Sequence, residues 1–219
     1  MPNLLHLDAS IRQEKSVSRE VSAAFAAQWR EVNPEGGYTY RDLGLHPVPH
    51  VDLAHHQGQH VAPDERSAEQ RASWAITEPL VAEVRWADVI LLGLPMYNYA
   101  IPSSVKAWID RISIHAHFAD RVTGRGVLTG TRVVVASARG GSYAPGTPRA
   151  GLDFQEPYLR GVFGTIGLGE HLQFVHTEMT MAGEIPELAE FRTFAANSLA
   201  NAHRTVRELA AAEPIEATA

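Results

Sequence analysis

Apolar and polar positions along the chain follow two different periods. Asn3 to Ala9 is a short apolar run containing His6, and its length suits a buried strand. A polar stretch, Ser10 to Ser18, follows. Val21, Phe25, Trp29 and Val32 then recur at helical spacing and give one apolar helix face, stopped by Asn33-Pro34 and Gly36-Gly37. Tyr38 to Leu43 predicts a second strand with Tyr38 and Tyr40 on one side. Residues 44–66 have no clear period and hold Pro47, Pro49, Pro63 and five histidines. A loop of that length is often functional or partly structured, and this one is a candidate partner contact. Helical spacing returns from Ser67 to Trp86, where Pro79 is expected to break or kink the helix. Ala87 to Gly93 is the clearest buried strand, and Leu94 to Tyr99 turns out of it. Pro102 suits the first turn of a helix running to about His115. After a polar, glycine-bearing loop at 118–130, Arg132 to Ala138 is a β-branched strand ended by Arg139-Gly140-Gly141. A Gly/Pro loop at 142–150 precedes a helix through Leu159 and Phe163, ended by Gly167. His171 to Thr177 is the last strand. Leu188, Phe191, Ala195, Leu199, Ala202, Val206 and Leu209 form the strongest helical stripe, and residues 210–219 are expected to fray.

Five strands alternating with helical regions imply a parallel sheet with helices on both faces. Of the two doubly wound arrangements, five strands favour the flavodoxin-like order 2-1-3-4-5 over the Rossmann order. The chain reads as a single domain spanning residues 1–219, with no repeat, linker or charge block.

Composition narrows the chemistry. Apolar residues make up 45% and charged residues 20%, and the net charge is −6. That is a globular mix with no basic excess, so nucleic acid is not an expected partner. There is no cysteine, which excludes a disulfide framework, a thiolate metal site and a cysteine nucleophile. Redox chemistry would need a cofactor from outside. No apolar run approaches the roughly 18 to 20 residues that span a bilayer. The first residues lack the basic and apolar regions of a secretory signal, so a cytoplasmic location is expected.

In a doubly wound sheet, ligands sit beyond the carboxyl ends of the strands at the switch in strand order. Three segments fall there. Ser10, Ser16 and Ser18 lie between the first strand and the first helix. One such serine is most simply a helix cap, but three hydroxyls beside a helix N-terminus suit a phosphate. Neither a G-x-G-x-x-G nor a G-x-x-x-x-G-K-[ST] loop is present, so a Rossmann-type dinucleotide is disfavoured. Pro95-Met96-Tyr97-Asn98-Tyr99 is either a proline turn whose aromatics finish the core or a cradle for a flat heterocycle, with the Asn98 amide as donor and acceptor. Ala138-Arg139-Gly140-Gly141 is either a plain strand-ending turn or a place where backbone closely approaches a ligand.

Together these segments resemble the FMN-dependent NADH:azoreductase family, also described as FMN-dependent NADH:quinone oxidoreductases. Pro95-Met96-Tyr97-Asn98 followed by an aromatic, Arg139-Gly140-Gly141, Gln28-Trp29-Arg30 and Arg41-Asp42-Leu43 carry the resemblance, in the family's order. It implies a flavodoxin-like homodimer with two sites at the interface, where the 44–66 loop could contribute. Ser10, Ser16, Val17 and Ser18 are implied to hold the FMN phosphate. Pro95, Met96, Tyr97, Asn98 and Tyr99 are implied to cradle the isoalloxazine, and Ala138, Arg139, Gly140 and Gly141 to contact its pyrimidine side. The implied reaction is a ping-pong one: hydride passes from NADH or NADPH to flavin N5, then two electrons go to a quinone or azo compound. No side-chain acid or base is required. Tyr99, Phe118, Tyr143 and Phe163 are candidates for stacking on the acceptor, each with a strong alternative as an ordinary core or loop aromatic. The chain departs from the family in having Ala138 for serine, Tyr99 for phenylalanine and a different 119–126 segment. That last departure motivates a second reading, a biosynthetic reductase dedicated to one quinone-like intermediate. A third is a non-enzymatic electron carrier of the flavodoxin kind.

Two other signals are set aside. His115 and His117, and the set His46, His50, His55, His56 and His60, lack a recognised metal-site spacing, so no native metal is expected. Gly140 to Ala144 nearly matches a nucleophile elbow around Ser142, but Ala144 replaces the last glycine and no helix follows directly.

Overall fold

The computed structural model describes residues 1–113, 118–120 and 122–212. In chain order the elements are β1 (Asn3–Asp8), α1 (Val17–Val32), β2 (Gly37–Asp42), α2 (Leu53–Gly58), α3 (Ala68–Trp86), β3 (Val89–Pro95), α4 (Ser103–Ile112), β4 (Arg132–Ala138), α5 (Gln155–Thr165), β5 (Leu172–Thr177) and α6 (Arg192–Ala211). Short 3-10 turns at Gln13–Lys15 and Pro186–Phe191 precede α1 and α6. All strand pairs are parallel, in the order β2-β1-β3-β4-β5 that the alternation of elements predicts.

The period of two along each strand sorts side chains onto two faces. Leu4, Val89, Leu91, Val134 and Ala136 pack with Val21, Phe25 and Trp29 of α1 and Ala202 and Val206 of α6. Leu5, Leu7, Ile90, Leu92, Leu94, Val133 and Val135 pack with Leu80 and Val84 of α3, Trp108 of α4, and Leu159 and Phe163 of α5. Every residue of β3 and β4 is buried, because helices cover both faces. Each large side chain so buried contributes about 1.5–3 kcal/mol. Gly93 makes room for a polar group inside this packing. A Cβ there would stand 1.9 Å from Asp8 Oδ1 and 2.7 Å from Ser22 Oγ.

Several expectations need correction. Helix α3 runs through Pro79 without ending. Trp74, Leu80, Val81 and Val84 bury on both sides of it, and a Ser67–Gln70 capping box secures the start. That packing outweighs the one hydrogen bond proline cannot make. The 44–66 segment contains α2, capped by Asp52, whose side chain accepts from the His55 N–H at 2.7 Å. At six residues, rich in His and Gln, it shows no apolar period. The last helical stripe begins as the 3-10 turn, so Leu188 and Phe191 precede α6, and Phe191 is 41% exposed. Val32 is 47% exposed because α1 ends there. Helix α6 extends through Ala211, past the expected start of fraying; residues 213–219 lie outside the described residues. Helix α4 ends at Ile112, and the His115 and His117 pair lies outside the described residues.

Candidate ligand site at the carboxyl edge of the sheet

The sheet topology brings the ends of β1, β3, β4 and β5 to one edge. A cavity of about 540 Å³ opens there, lined by Ser10, Arg12, Ser16, Val17, Pro95, Met96, Tyr97, Ala138, Gly140, Thr180, Met181 and Glu184. Its size falls within the roughly 300–1,000 Å³ common for small-molecule sites. Nine of these residues belong to the three segments singled out in the sequence, and eight of them, all but Arg12, were named there as candidates.

The first segment is held by a buried charged network. Ser16 caps α1, its Oγ accepting from the Arg19 N–H at 3.3 Å and lying 3.2 Å from Ser18 Oγ. Arg19 reaches back from α1 and donates through Nε and Nη2 to the Ser10 carbonyl at 3.0 and 2.7 Å. The same guanidinium grips both carboxylate oxygens of Asp42 at 2.6 Å. Burial pushes the Asp42 carboxyl up, but hydrogen bonds from Arg19 and the Leu45 and Gly44 N–H groups more than offset it, and the carboxyl lies below its usual range. Behind this brace sits buried Asp8, which accepts from Ser22 Oγ at 2.8 Å and Tyr40 Oη at 3.1 Å. Burial, then Asp8 and Asp42, drives the Tyr40 phenol upward, so it stays a neutral donor. The loop is thus anchored to β2, while the Val17 and Ser18 N–H groups have no hydrogen-bond partner among the described residues.

The second segment leaves β3 as a tight turn. Tyr97 and Ala100 exchange backbone hydrogen bonds at 3.0 Å, with Asn98 at φ 48° and Tyr99 at φ 70°. Positive φ at both central residues is the type I′ condition. Asn98 tolerates it; Tyr99 is held there at some strain, with its carbonyl accepting from the Phe154 N–H at 2.9 Å. Tyr97 lines the cavity and its hydroxyl accepts from the Ile11 N–H at 3.2 Å, tying the first two segments together. Asn98 faces a second cleft of about 820 Å³ with His50, Ile101, Lys106, Phe154 and Tyr158.

In the third segment the Arg139 side chain turns away from the cavity. It is buried and pairs with Asp153 at 2.6 Å, with Glu156 and Glu178 each 3.8 Å away. Only backbone is offered to a ligand here, and the Gly140 and Gly141 N–H groups have no partner among the described residues. A Cβ on Gly140 would stand 3.0 Å from Met181 Cγ and narrow the cavity. Gln155 is fully buried, accepting from Ser137 Oγ at 2.5 Å and donating to the Pro95 carbonyl at 3.0 Å. It thereby joins the ends of β3 and β4. Nearby His176 lies 2.8 Å from Glu156, yet burial and then Arg139 keep its ring below its usual pKa.

Not every expected residue converges. Ser18, Asn98, Tyr99, Arg139 and Gly141 do not line the cavity itself. Tyr99 and Tyr143 meet edge to face at 6.3 Å beside it. Phe118 and Phe163 are corrections: both are 0% exposed and packed in the core, so neither ring can stack on a ligand. Arg12, Thr180, Met181 and Glu184 line the cavity without having been expected. Strand order alone places the residues after β5 at this edge, but 178–184, with the single glycine Gly183 and no aromatic residue, carries no motif to draw attention. Among the described residues no group of three or more His, Asp or Glu could hold a metal ion. His55 stacks on Trp74 at 5.0 Å and belongs to the α2–α3 contact.

The donor set fits a flat phosphorylated ligand. Two free N–H groups and three serines stand at a helix N-terminus, where the helix dipole favours an anion. Backbone donors and small residues stand where a ring would lie. The family described as Flavodoxin-like fold matches residues 2–213. A protein of Frankia casuarinae named FMN-dependent NADH:quinone oxidoreductase is 44% identical over 94% of this chain and 98% of its own. One of the same name from Nocardia farcinica is 43% identical over 95% of this chain and 98% of its own. A solved FMN-dependent NADH-azoreductase from Bacillus anthracis, in complex with FMN, superposes with a TM-score of 0.80 at 24% identity, covering 95% of this chain and 97% of its own.

Proposed function

This chain belongs to the flavodoxin-like fold family, and on that premise we propose that it is an FMN-dependent oxidoreductase, using NAD(P)H to reduce quinones or azo compounds. The observation that carries the reading is the meeting of all three segments around one cavity, in a chain 44% identical to an FMN-dependent NADH:quinone oxidoreductase. FMN, when bound, would supply the two-electron transfer between NAD(P)H and the acceptor.

The chain's own residues bind and orient. Ser10, Ser16, Val17 and Ser18 hold the phosphate through hydroxyls and the free helix N–H groups. Pro95, Met96, Tyr97, Asn98 and Tyr99 cradle the isoalloxazine. Ala138, Arg139, Gly140 and Gly141 contribute backbone, and the Gly140 and Gly141 N–H groups stabilise negative charge on the pyrimidine side. Arg139 and Gln155 hold the strand ends in register. Tyr99 and Tyr143 are the surviving candidates for stacking on an acceptor. Homologues named oxidoreductases favour an enzyme over an electron carrier.

The same reading includes a homodimer with its sites at the interface. Leu53, 69% exposed in the 44–66 segment, and Phe154, 55% exposed beside the Asn98 cleft, offer apolar surface for it. No helix among the described residues is long and apolar enough to cross a membrane. A cytoplasmic location is part of the same proposal. Sedimentation equilibrium reads the dimer directly.

Anaerobic visible spectra of the purified protein with FMN, before and after NADH and then NADPH, test the activity. Retained flavin whose band bleaches is the expected result. Absence of bound flavin refutes the proposal; bound flavin that neither nucleotide bleaches restores the carrier. A quinone and azo panel then identifies the acceptor class, and poor turnover throughout favours the dedicated reductase.

A further inference from the structure

Arg12 and Glu184 are the two charged side chains among the residues lining the 540 Å³ cavity. They come from different loops, one between β1 and α1, the other after β5. Their side chains pair directly, and Arg12 Nη1 also lies 3.6 Å from Met181 Sδ. The pair therefore joins two of the loops that line the cavity. Both side chains keep solvent contact, at 38% and 50% exposure, so the pair can exchange partners. The 3-10 turn at Gln13–Lys15 brings Arg12 back to the start of α1: Lys15 N–H donates to the Arg12 carbonyl at 3.1 Å, and Ser16 N–H to that of Gln13 at 3.0 Å. The Val17 and Ser18 N–H groups, without a partner among the described residues, are the first of that helix.

Taking FMN as the cofactor, we infer that Arg12 is a specificity-determining residue that selects phosphorylated flavin, with Glu184 as the competing counter-ion. The guanidinium is paired with Glu184. A phosphate dianion at the α1 N-terminus is a stronger partner, since it offers more negative charge and more acceptor oxygens to the guanidinium fork. Glu184 is then released toward solvent, which its exposure makes inexpensive. Riboflavin has the same ring and ribityl chain but no phosphate, so it leaves Arg12 with Glu184. Arg19 does not serve in this role, because Asp42 and the Ser10 carbonyl already occupy its donors.

The test measures dissociation constants of FMN and riboflavin by fluorescence quenching on flavin-stripped protein. It compares wild type, Arg12→Gln and Glu184→Gln, with circular dichroism to confirm folding. Wild type is expected to prefer FMN. Arg12→Gln should reduce the FMN-over-riboflavin preference about tenfold, the effect of one partly exposed charge-assisted hydrogen bond. Glu184→Gln should raise it by about threefold, since the competitor is gone. An unchanged preference in Arg12→Gln overturns the inference, as does a lower one in Glu184→Gln. Should Arg12→Gln not fold, Glu184→Gln and Arg12→Lys decide it, the lysine keeping only part of the preference. If wild type binds neither flavin, the cofactor reading fails first, and this inference with it.

Discussion

Replacing Arg19 by alanine should damage the fold and the cofactor site together, by amounts that can be worked out. The guanidinium is 14% exposed and its partner Asp42 10%. It makes two hydrogen bonds to each of Asp42 and the Ser10 carbonyl. Removing one member of a mostly buried pair leaves the other uncompensated and costs about 3–5 kcal/mol. For a chain of this size each kcal/mol lowers Tm by about 2–4 °C, so the fall should be about 6–20 °C by thermal unfolding without flavin. The site suffers separately. Ser10 to Ser16 lose their tether to β2, and binding must then order what the fold no longer does. Fixing one residue costs about 1–2 kcal/mol, and 1.4 kcal/mol is tenfold in Kd, so FMN affinity should drop about tenfold or more. Fluorescence titration at a temperature where the variant is folded reads this. Arg19→Lys should fall between, since it keeps the charge and loses the fork. A Tm within about 3 °C of wild type and an FMN Kd within about twofold would refute the brace, because both are smaller than one such hydrogen bond supplies.

Three further outcomes follow from particular contacts. Asn98→Ala should weaken FMN retention or slow its reduction by NADH about tenfold, the effect of one hydrogen bond to a charge-bearing ring; unchanged binding and stopped-flow kinetics would remove Asn98 from the ring site. Gly93→Ala should destabilise by about 1–3 kcal/mol through overpacking, because its Cβ would come within 1.9 Å of Asp8 Oδ1, and denaturant melts showing less than about 0.5 kcal/mol would mean that Asp8 moves freely. His176 is held below the usual histidine range in the folded chain, by burial and then Arg139. Its contribution to stability is therefore complete above the unfolded value of about 6.5 and is lost as pH falls from there through the folded value. His176→Gln should flatten that part of the stability–pH curve, and parallel curves for the two proteins would exclude it.

The fold was legible because burial on both faces of a parallel sheet leaves a local record. Ile90-Leu91-Leu92 and Val133-Val134-Val135 are apolar whichever face each residue takes, and the shortness of each run favours a buried strand over a helix. Strand count then fixed the order, and the order fixed the edge where ligands bind. The backbone-based parts of the site were legible for a related reason. Serines beside a helix start and paired glycines after a strand act through their own segment, so the segment names them. Arg19 with Asp42, Gln155 with the Pro95 carbonyl, and Arg12 with Glu184 are side-chain contacts between distant segments, and nothing local distinguishes such a residue from a solvated one. Short α2 was hidden because six residues, three of them polar, carry no period. Phe163 was misplaced for a different reason. It follows Leu159 by four residues on α5, and that spacing is a core stripe, since a helix lying flat on a sheet buries whatever its period repeats. Tyr99 at its strained turn and Tyr143 in its loop stand outside any such stripe. Position relative to the period, rather than aromatic character, separates the rings that can meet an acceptor from those that hold the sheet.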